Sequence, residues 1–336
     1  MKQKTQKFFP SQRGRGKRKI SVIFMGTPEF ACPSLEKLIE NEKVLAVVTQ
    51  PDKPAGRGRK ITSPPVKIIA SKRNIPVYQP KDLKDPYFLE KIILLKPDLI
   101  VVVAFGRILP GELLDIPGSF SINLHPSLLP KYRGPAPIPW VLIKGEEKTG
   151  VTVQKMGEKI DEGDIILQKE VFIAPQDTSE TLGRKLSYTG AQALIEAINL
   201  IKKGEVKLKP QEGKASYAPK IKKQMGEINW KVAAWKIHNL VRALNPSPGA
   251  FTTFRHNNES SLIKIWQTEV LEEVLSNEVE NIPGSIIRIE KGVGFFVKTG
   301  KGSILVKQVQ LPNRSRINAY DFIKGYHIKE GFILGG

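Results

Sequence analysis

Four short apolar runs, Ile20–Met25, Lys43–Gln50, Asp98–Ala104 and Ser119–Leu124, constrain this chain more than any other feature. They are apolar without strict alternation, the pattern of strands covered on both faces. Between them lie stretches that read as helices: about Pro28 to Asn41, with Leu35, Leu38 and Ile39 on one side, a second from about Pro65, and a third over Leu83–Leu95. A short strand is expected at Ile75–Tyr78. Parallel neighbours need a crossover, so strands alternating with helices at this spacing predict a parallel, doubly wound sheet. Two more β-like segments, Gly150–Met156 and Asp164–Ile173, precede a long helix over about Ser179–Lys203. The expected class is α/β: a Rossmann-like, doubly wound, mostly parallel sheet over residues 20–203.

The pattern then changes. Residues 204–225 read as a lysine-rich linker, followed by a helix over about Val232–Leu244 and short strands punctuated by glycine, such as LIKIWQTEVL and GSILVKQVQL. This predicts a small OB-fold-like β-barrel domain over 226–336. Two domains also suit a chain of 336 residues, since single cores stop growing at about 250–300 residues.

Several classes are excluded. The longest apolar run, Leu99–Phe105, falls far short of the ~20 residues of a membrane span. Residues 1–19 are basic but lack the apolar stretch of a secretory signal. One cysteine, Cys32, allows no internal disulfide and suits the cytoplasm. The four histidines are scattered without ligand spacing, so no metal is expected. The charge is informative. Residues 1–19, 51–73 and 202–225 together carry the whole net charge of +20, and the remainder of the chain is balanced. Three cationic segments beside neutral domains fit a polyanionic partner such as a nucleic acid.

The first strand ends at Gly26-Thr27-Pro28, which lacks the three glycines of a dinucleotide fingerprint. Asn123 and His125 stand two residues apart at the end of a strand, so their side chains share a face. Asp161 lies in a turn, Lys159-Ile160-Asp161-Glu162-Gly163-Asp164, between two later strands. An amide donor, an imidazole and a carboxylate meeting at one rim would suit a tetrahedral oxyanion without a covalent nucleophile. A loop-bonding histidine and an Asx-turn are the plainer readings of the same residues. Cys32 has no histidine near it in sequence and is not read as a nucleophile.

The run Ser121-Ile122-Asn123-Leu124-His125-Pro126-Ser127-Leu128-Leu129-Pro130 resembles the signature of the 10-formyltetrahydrofolate-dependent formyltransferases. Its continuation Lys131–Ile138, the segment Ile23–Phe30, the loop Thr49–Lys60 and Asp161–Asp164 are similar to the branch that formylates methionine on initiator tRNA. Gly226–Trp230 and Asn245–Ala250 resemble that branch's carboxyl-terminal domain. The resemblance implies Asn123, His125 and Asp161 as catalytic residues, with Asp161 setting the tautomer of His125. It implies contacts of tetrahydrofolate with Ser127, Leu128, Leu129 and Pro130, and of its pterin with Phe105, Arg107, Ile108 and Leu109. Arg57, Arg59 and Lys60 would meet the acceptor stem of the tRNA, and Lys220, Lys222 and Lys223 would add phosphate contacts. The implied co-substrate is 10-formyltetrahydrofolate, the partner is methionyl initiator tRNA, and a monomer without metal or membrane is expected. A formyltransferase acting on a small amine and a noncatalytic RNA-binding protein are the rival readings.

Overall fold

A computed structural model describes residues 19–55, 60–257, 259–271 and 282–335; all but the last residue of the basic tail 1–19 lies outside them. The chain divides into two compact units, one of Met1–Pro137, Lys148–Phe172 and Gly183–Ala218, the other of Ile138–Glu147, Ile173–Leu182 and Pro219–Gly336. No helix among the described residues is long and apolar enough to cross a membrane.

The first unit contains β1 (Ser21–Gly26), α1 (Cys32–Asn41), β2 (Lys43–Val48), a hairpin of β3 (Lys53–Ala55) and β4 (Lys60–Thr62), α2 (Pro65–Lys72), β5 (Val77–Tyr78) and α3 (Pro86–Leu94). It continues through β6 (Leu99–Val103), α4 (Gly111–Leu114) and β7 (Phe120–His125). After α5 (Pro137–Lys144), which beyond Pro137 belongs to the second unit, come β8 (Lys148–Lys155), β9 (Ile165–Phe172) and α6 (Ser179–Lys203), which belongs to the first unit from Gly183. The strands form one sheet in the order β5-β2-β1-β6-β7-β8-β9. The first five run parallel, and β8 and β9 are antiparallel additions at one edge. β6 is buried along its whole length, which is why its sequence is continuously apolar. Chain order reverses between β1 and β6, the place where sheets of this type open a crevice beyond their carboxyl ends.

Element boundaries follow local chemistry. The helix expected from Pro28 starts at Cys32, after a short 3-10 turn over Glu29–Ala31. Pro33 sets that start, because a proline is tolerated only in the first turn, where its missing N–H has no partner to lose. α3 likewise begins at Pro86, with the Asp85 carboxylate accepting from Tyr87 N–H at 3.2 Å. The hairpin β3–β4 was expected as loop; strands of three residues are too short to show a period. Gly26 closes β1 because a Cβ there would come within 3.0 Å of the Val103 carbonyl on β6.

The second unit contains α7 (Ala234–Ala243), β10 (Ala250–His256), β11 (Glu259–Leu271), β12 (Ile286–Glu290), β13 (Gly294–Lys298), β14 (Ser303–Gln310), β15 (Ile317–Asn318) and α8 (Ala319–Gly325). Its antiparallel sheet runs β10-β11-β14-β13-β12, with β15 on β14. It is an OB-fold-like β domain but not a closed barrel: among the described residues the ladder stays open between β10 and β12. The chain end bridges both edges, Gly335 N–H donating to Thr253 O at 2.9 Å and Ile286 N–H to Phe332 O at 2.8 Å. Phe322 of α8 stands edge-on to Phe254 of β10, centroids 5.1 Å apart, inside one apolar core.

His238 of α7 is set among Thr268 Oγ1 at 3.0 Å and the Pro175 carbonyl at 3.3 Å. Burial, with the Arg242 cation adding, pushes its pKa below the usual histidine range against the pull of that carbonyl. The folded state therefore binds this proton less readily than the unfolded chain. Its contribution to stability is complete above the unfolded pKa of about 6.5 and is lost as the pH falls toward the folded value. Thermal unfolding followed by near-ultraviolet circular dichroism should show the midpoint of the second unit declining from pH 7 to 5. His238→Gln should flatten that decline; an unchanged slope in the variant would assign the effect elsewhere.

Candidate active site

A cavity of about 590 Å³ opens beyond the carboxyl ends of β1, β6 and β7, lined from those ends by Pro28, Phe105–Leu109, Asn123 and His125 and closed on another side by Met156–Asp161. This is the crevice that the strand order demands. Its wall is built by backbone geometry as much as by side chains. The Phe105 carbonyl accepts from Thr27 Oγ1 and Gln50 Nε2, each at 3.0 Å, tying the β6 loop to those after β1 and β2. Gly106, at φ +79°, is in the left-handed region, and a Cβ there would meet Gln50 Nε2 at 2.7 Å. Arg107 turns its guanidinium to the carbonyls of Pro80 and Lys81 at 2.9 and 3.0 Å, pinning the loop from behind. Ile108 and Ile160 stand exposed on the rim.

Asn123, His125 and Asp161 converge here, although 36 residues separate the last two in sequence. Asp161 occupies the left-handed region at φ 54°, a conformation that costs an L-residue about 1–2 kcal/mol. Its carboxylate is held on both oxygens. Oδ2 accepts from Gly134 N–H at 2.9 Å, and Oδ1 accepts from Gln154 Nε2 at 3.1 Å and, at the long limit of 3.5 Å, from Asn123 Nδ2. His125 Nδ1 faces the same Oδ1 at 3.6 Å, with the two side chains only 5% and 12% exposed. His125 Nε2 lies 2.9 Å from the Tyr132 carbonyl. A carbonyl can only accept, so the ring carries its proton on Nε2 and turns Nδ1 to Asp161. The tautomer expected to be set by Asp161 is thus set by Tyr132, and Asp161 is left to balance a proton arriving on Nδ1.

The other expected residues divide. Phe105, Arg107, Ile108 and Leu109 line the cavity. Ser127, Leu128, Leu129 and Pro130 do not: Ser127 is fully buried, its hydroxyl donating to Lys131 O at 2.7 Å, and the Leu129 N–H is bonded to Thr152 Oγ1. They lie in the turn after β7, tied to β8 and β9 through Thr152 and Gln168 rather than lining the cavity. Arg57 and Arg59 lie outside the described residues. Lys60 begins β4, and the base of its hairpin is fixed by Asp52, which pairs with Lys67 at 2.8 Å and accepts from Gln79. Those bonds hold the Asp52 carboxyl below the usual carboxylate range. Lys220, Lys222 and Lys223 are exposed in the second unit. Burial, with Glu36 and Glu29 adding, pushes the Cys32 thiol up to about 11, so it stays protonated and unreactive at neutral pH.

Gln154 is a site residue that sequence reasoning passed over. It faces Asn123 across the antiparallel β7–β8 ladder, which places both amides beside Asp161. Only the register of that pairing would have revealed it. The segment read as a linker was also underestimated, because Lys209 pairs with Ile165 and Ser216–Ala218 with Arg133, all within the first unit.

A family model described as formyl transferase matches residues 18–198, and one described as its C-terminal domain matches 220–327. The chain therefore belongs to the formyl transferase family and is a formyl-transferring enzyme. A methionyl-tRNA formyltransferase of Clostridioides difficile is 46% identical over 94% of this chain and 100% of its own length, and one of Syntrophus aciditrophicus is 45% identical over 94% and 99%. Within the family the chain is one of the methionyl-tRNA formyltransferases, which move formyl from 10-formyltetrahydrofolate to methionyl-tRNA. The crystal structure of an N-formyltransferase from Helicobacter canadensis, bound to folinic acid and dTDP-3-aminofucose, shares the fold with a TM-score of 0.62 at 22% identity, over 86% of this chain and 99% of that one.

Gly163 makes the site geometry testable. A Cβ at this position would overlap the Lys155 carbonyl oxygen at the end of β8, so any side chain must push away the loop that carries Asp161. Gly163→Ala should lower kcat by at least a hundredfold while far-ultraviolet circular dichroism stays that of the parent. Turnover within threefold of the parent would show that the Asp161 loop does not need this close approach.

Proposed function

We propose that the cavity binds 10-formyltetrahydrofolate and that Asn123, His125 and Asp161 transfer its formyl group to the α-amine of methionyl initiator tRNA. The observation that carries this reading is their convergence on one cavity, with the Asp161 carboxylate hydrogen-bonded and turned to a histidine of defined tautomer.

The neutral amine attacks the formyl carbon, a C–N bond forms, and the carbonyl electron pair moves onto oxygen. Asn123 donates to that oxyanion through Nδ2. The attacking nitrogen then loses a proton to His125 Nδ1, and Asp161, facing that nitrogen, balances the imidazolium. The same proton passes to the folate nitrogen as its bond to the formyl carbon breaks, leaving tetrahydrofolate and the formylated amine. Nearly complete exclusion of water around His125 and Asp161 strengthens each of these interactions. The cationic segments supply the affinity for the tRNA: Arg57, Arg59 and Lys60 at the acceptor stem, Lys220, Lys222 and Lys223 along the phosphates.

The parent chain should formylate charged initiator tRNA and leave free methionine and glycinamide ribonucleotide almost untouched; preference for the ribonucleotide would move the protein to the small-amine branch. Asn123→Ala should cost ~10²–10³ in kcat, the usual loss of one oxyanion donor. His125→Ala and Asp161→Asn should lose activity as severely while tRNA affinity stays within threefold. Log affinity for tRNA should fall with log salt by roughly 0.7–0.9 per phosphate contact, far more steeply than for folate.

A further inference from the structure

We propose that Gln211, within the stretch that reads as a linker, is a positioning residue for formyl transfer, acting on Asp161 through the backbone of its loop. The inference rests on the formyl-transfer reading above. The Gln211 side chain is engaged on every polar atom. Its Nε2 donates to Asp161 O at 2.8 Å and Gly163 O at 2.9 Å, with Gln154 Oε1 also within reach at 3.3 Å. Its Oε1 accepts from Arg133 Nε at 3.1 Å and Nη2 at 2.8 Å. Two carbonyls on one side and a guanidinium on the other admit only one orientation of the amide.

These bonds close a ring. Arg133 also pairs with Glu162 at 3.0 Å, and its neighbour Gly134 donates to the Asp161 carboxylate. The backbone and the side chain of Asp161 are thus both referred to residues 133–134, one through Gln211 and one directly. The segment carrying Gln211 is itself fixed in the same unit: Lys209 exchanges backbone hydrogen bonds with Ile165 at 2.8 and 3.0 Å, and Ala218 N–H donates to Arg133 O at 2.7 Å. Farther along the strap, Ser216 Oγ accepts from the N–H of Tyr132, whose carbonyl sets the tautomer of His125. A tether needs none of these contacts. A strap that holds a left-handed aspartate against its histidine needs all of them, since small displacements of reacting groups carry large rate penalties.

Gln211→Glu is the informative change. It keeps an acceptor for Arg133 and replaces the donor by an oxygen facing two carbonyls. Gln211→Met, of similar volume and without polar atoms, guards against a folding defect in the first variant. We expect kcat to fall at least thirtyfold in each, with KM for tRNA and for 10-formyltetrahydrofolate within threefold of the parent. Combined with Asp161→Asn, Gln211→Glu should add less than a threefold further loss, because both changes remove the same contribution. Amide hydrogen exchange over residues 157–164 should quicken at least tenfold, and this measurement needs no turnover, so it decides the clamp even if the parent formylates a different amine. A kcat within threefold of the parent, fully multiplicative losses in the double variant, or unchanged exchange would each overturn the proposal.

Discussion

A carboxylate and an imidazole face each other almost out of water at the end of β7, and the first unit is arranged to give each of them hydrogen-bond partners of its own. Burying a charge is costly unless its lone pairs are satisfied. Asp161 meets the condition with a backbone N–H from one loop and an amide from β8, while His125 places its Nε2 proton on a carbonyl from another turn. None of these partners is a counter-charge. The pair is therefore left to respond to charge that develops on a substrate, which is what stabilisation of a tetrahedral oxyanion requires.

That arrangement dictates where the chain must lack side chains. Gly106 takes a left-handed turn over Gln50, and Gly163 passes so close to β8 that only a hydrogen fits. Both are backbone positions on the cavity wall, and their freedom from a Cβ lets loops after distant strands close around one space. The parallel order of β1, β6 and β7 supplies the space itself, because three carboxyl ends finish at one edge and their loops must leave on the same side.

The distribution of charge completes the division of labour. The candidate site holds a hydrogen-bonded carboxylate and little excess charge, while the excess cationic residues sit in the 51–73 and 202–225 segments and in the tail. On the proposed function, long-range attraction of the tRNA and short-range chemistry are thereby kept apart, so the field that draws in the polyanion need not be the one that polarises a formyl group. The 202–225 segment serves both ends of this division. Its lysines from 203 onward face solvent, whereas Lys202 pairs with the buried Glu42 at 2.7 Å and Gln211 and Ser216 bond inward.

The sequence by itself determined the strand–helix alternation and the change to short strands after residue 225, and it singled out Asn123, His125 and Asp161 as candidates. Strands covered on both faces must be apolar throughout, and the spacing of Asn123 and His125 puts both on one face of a strand end. Its family motifs carried the rest of that reading. Tertiary structure alone decided that Tyr132 rather than Asp161 fixes the histidine tautomer, that Gln154 joins the site, that Ser127–Pro130 are tied to β8 and β9 outside the cavity lining, and that the supposed linker is a strap. Each of those outcomes rests on a backbone carbonyl or N–H, groups that every residue carries and no side-chain pattern marks. Gln211 reaches Asp161 across fifty residues through such a carbonyl, and only the folded chain brings the two together.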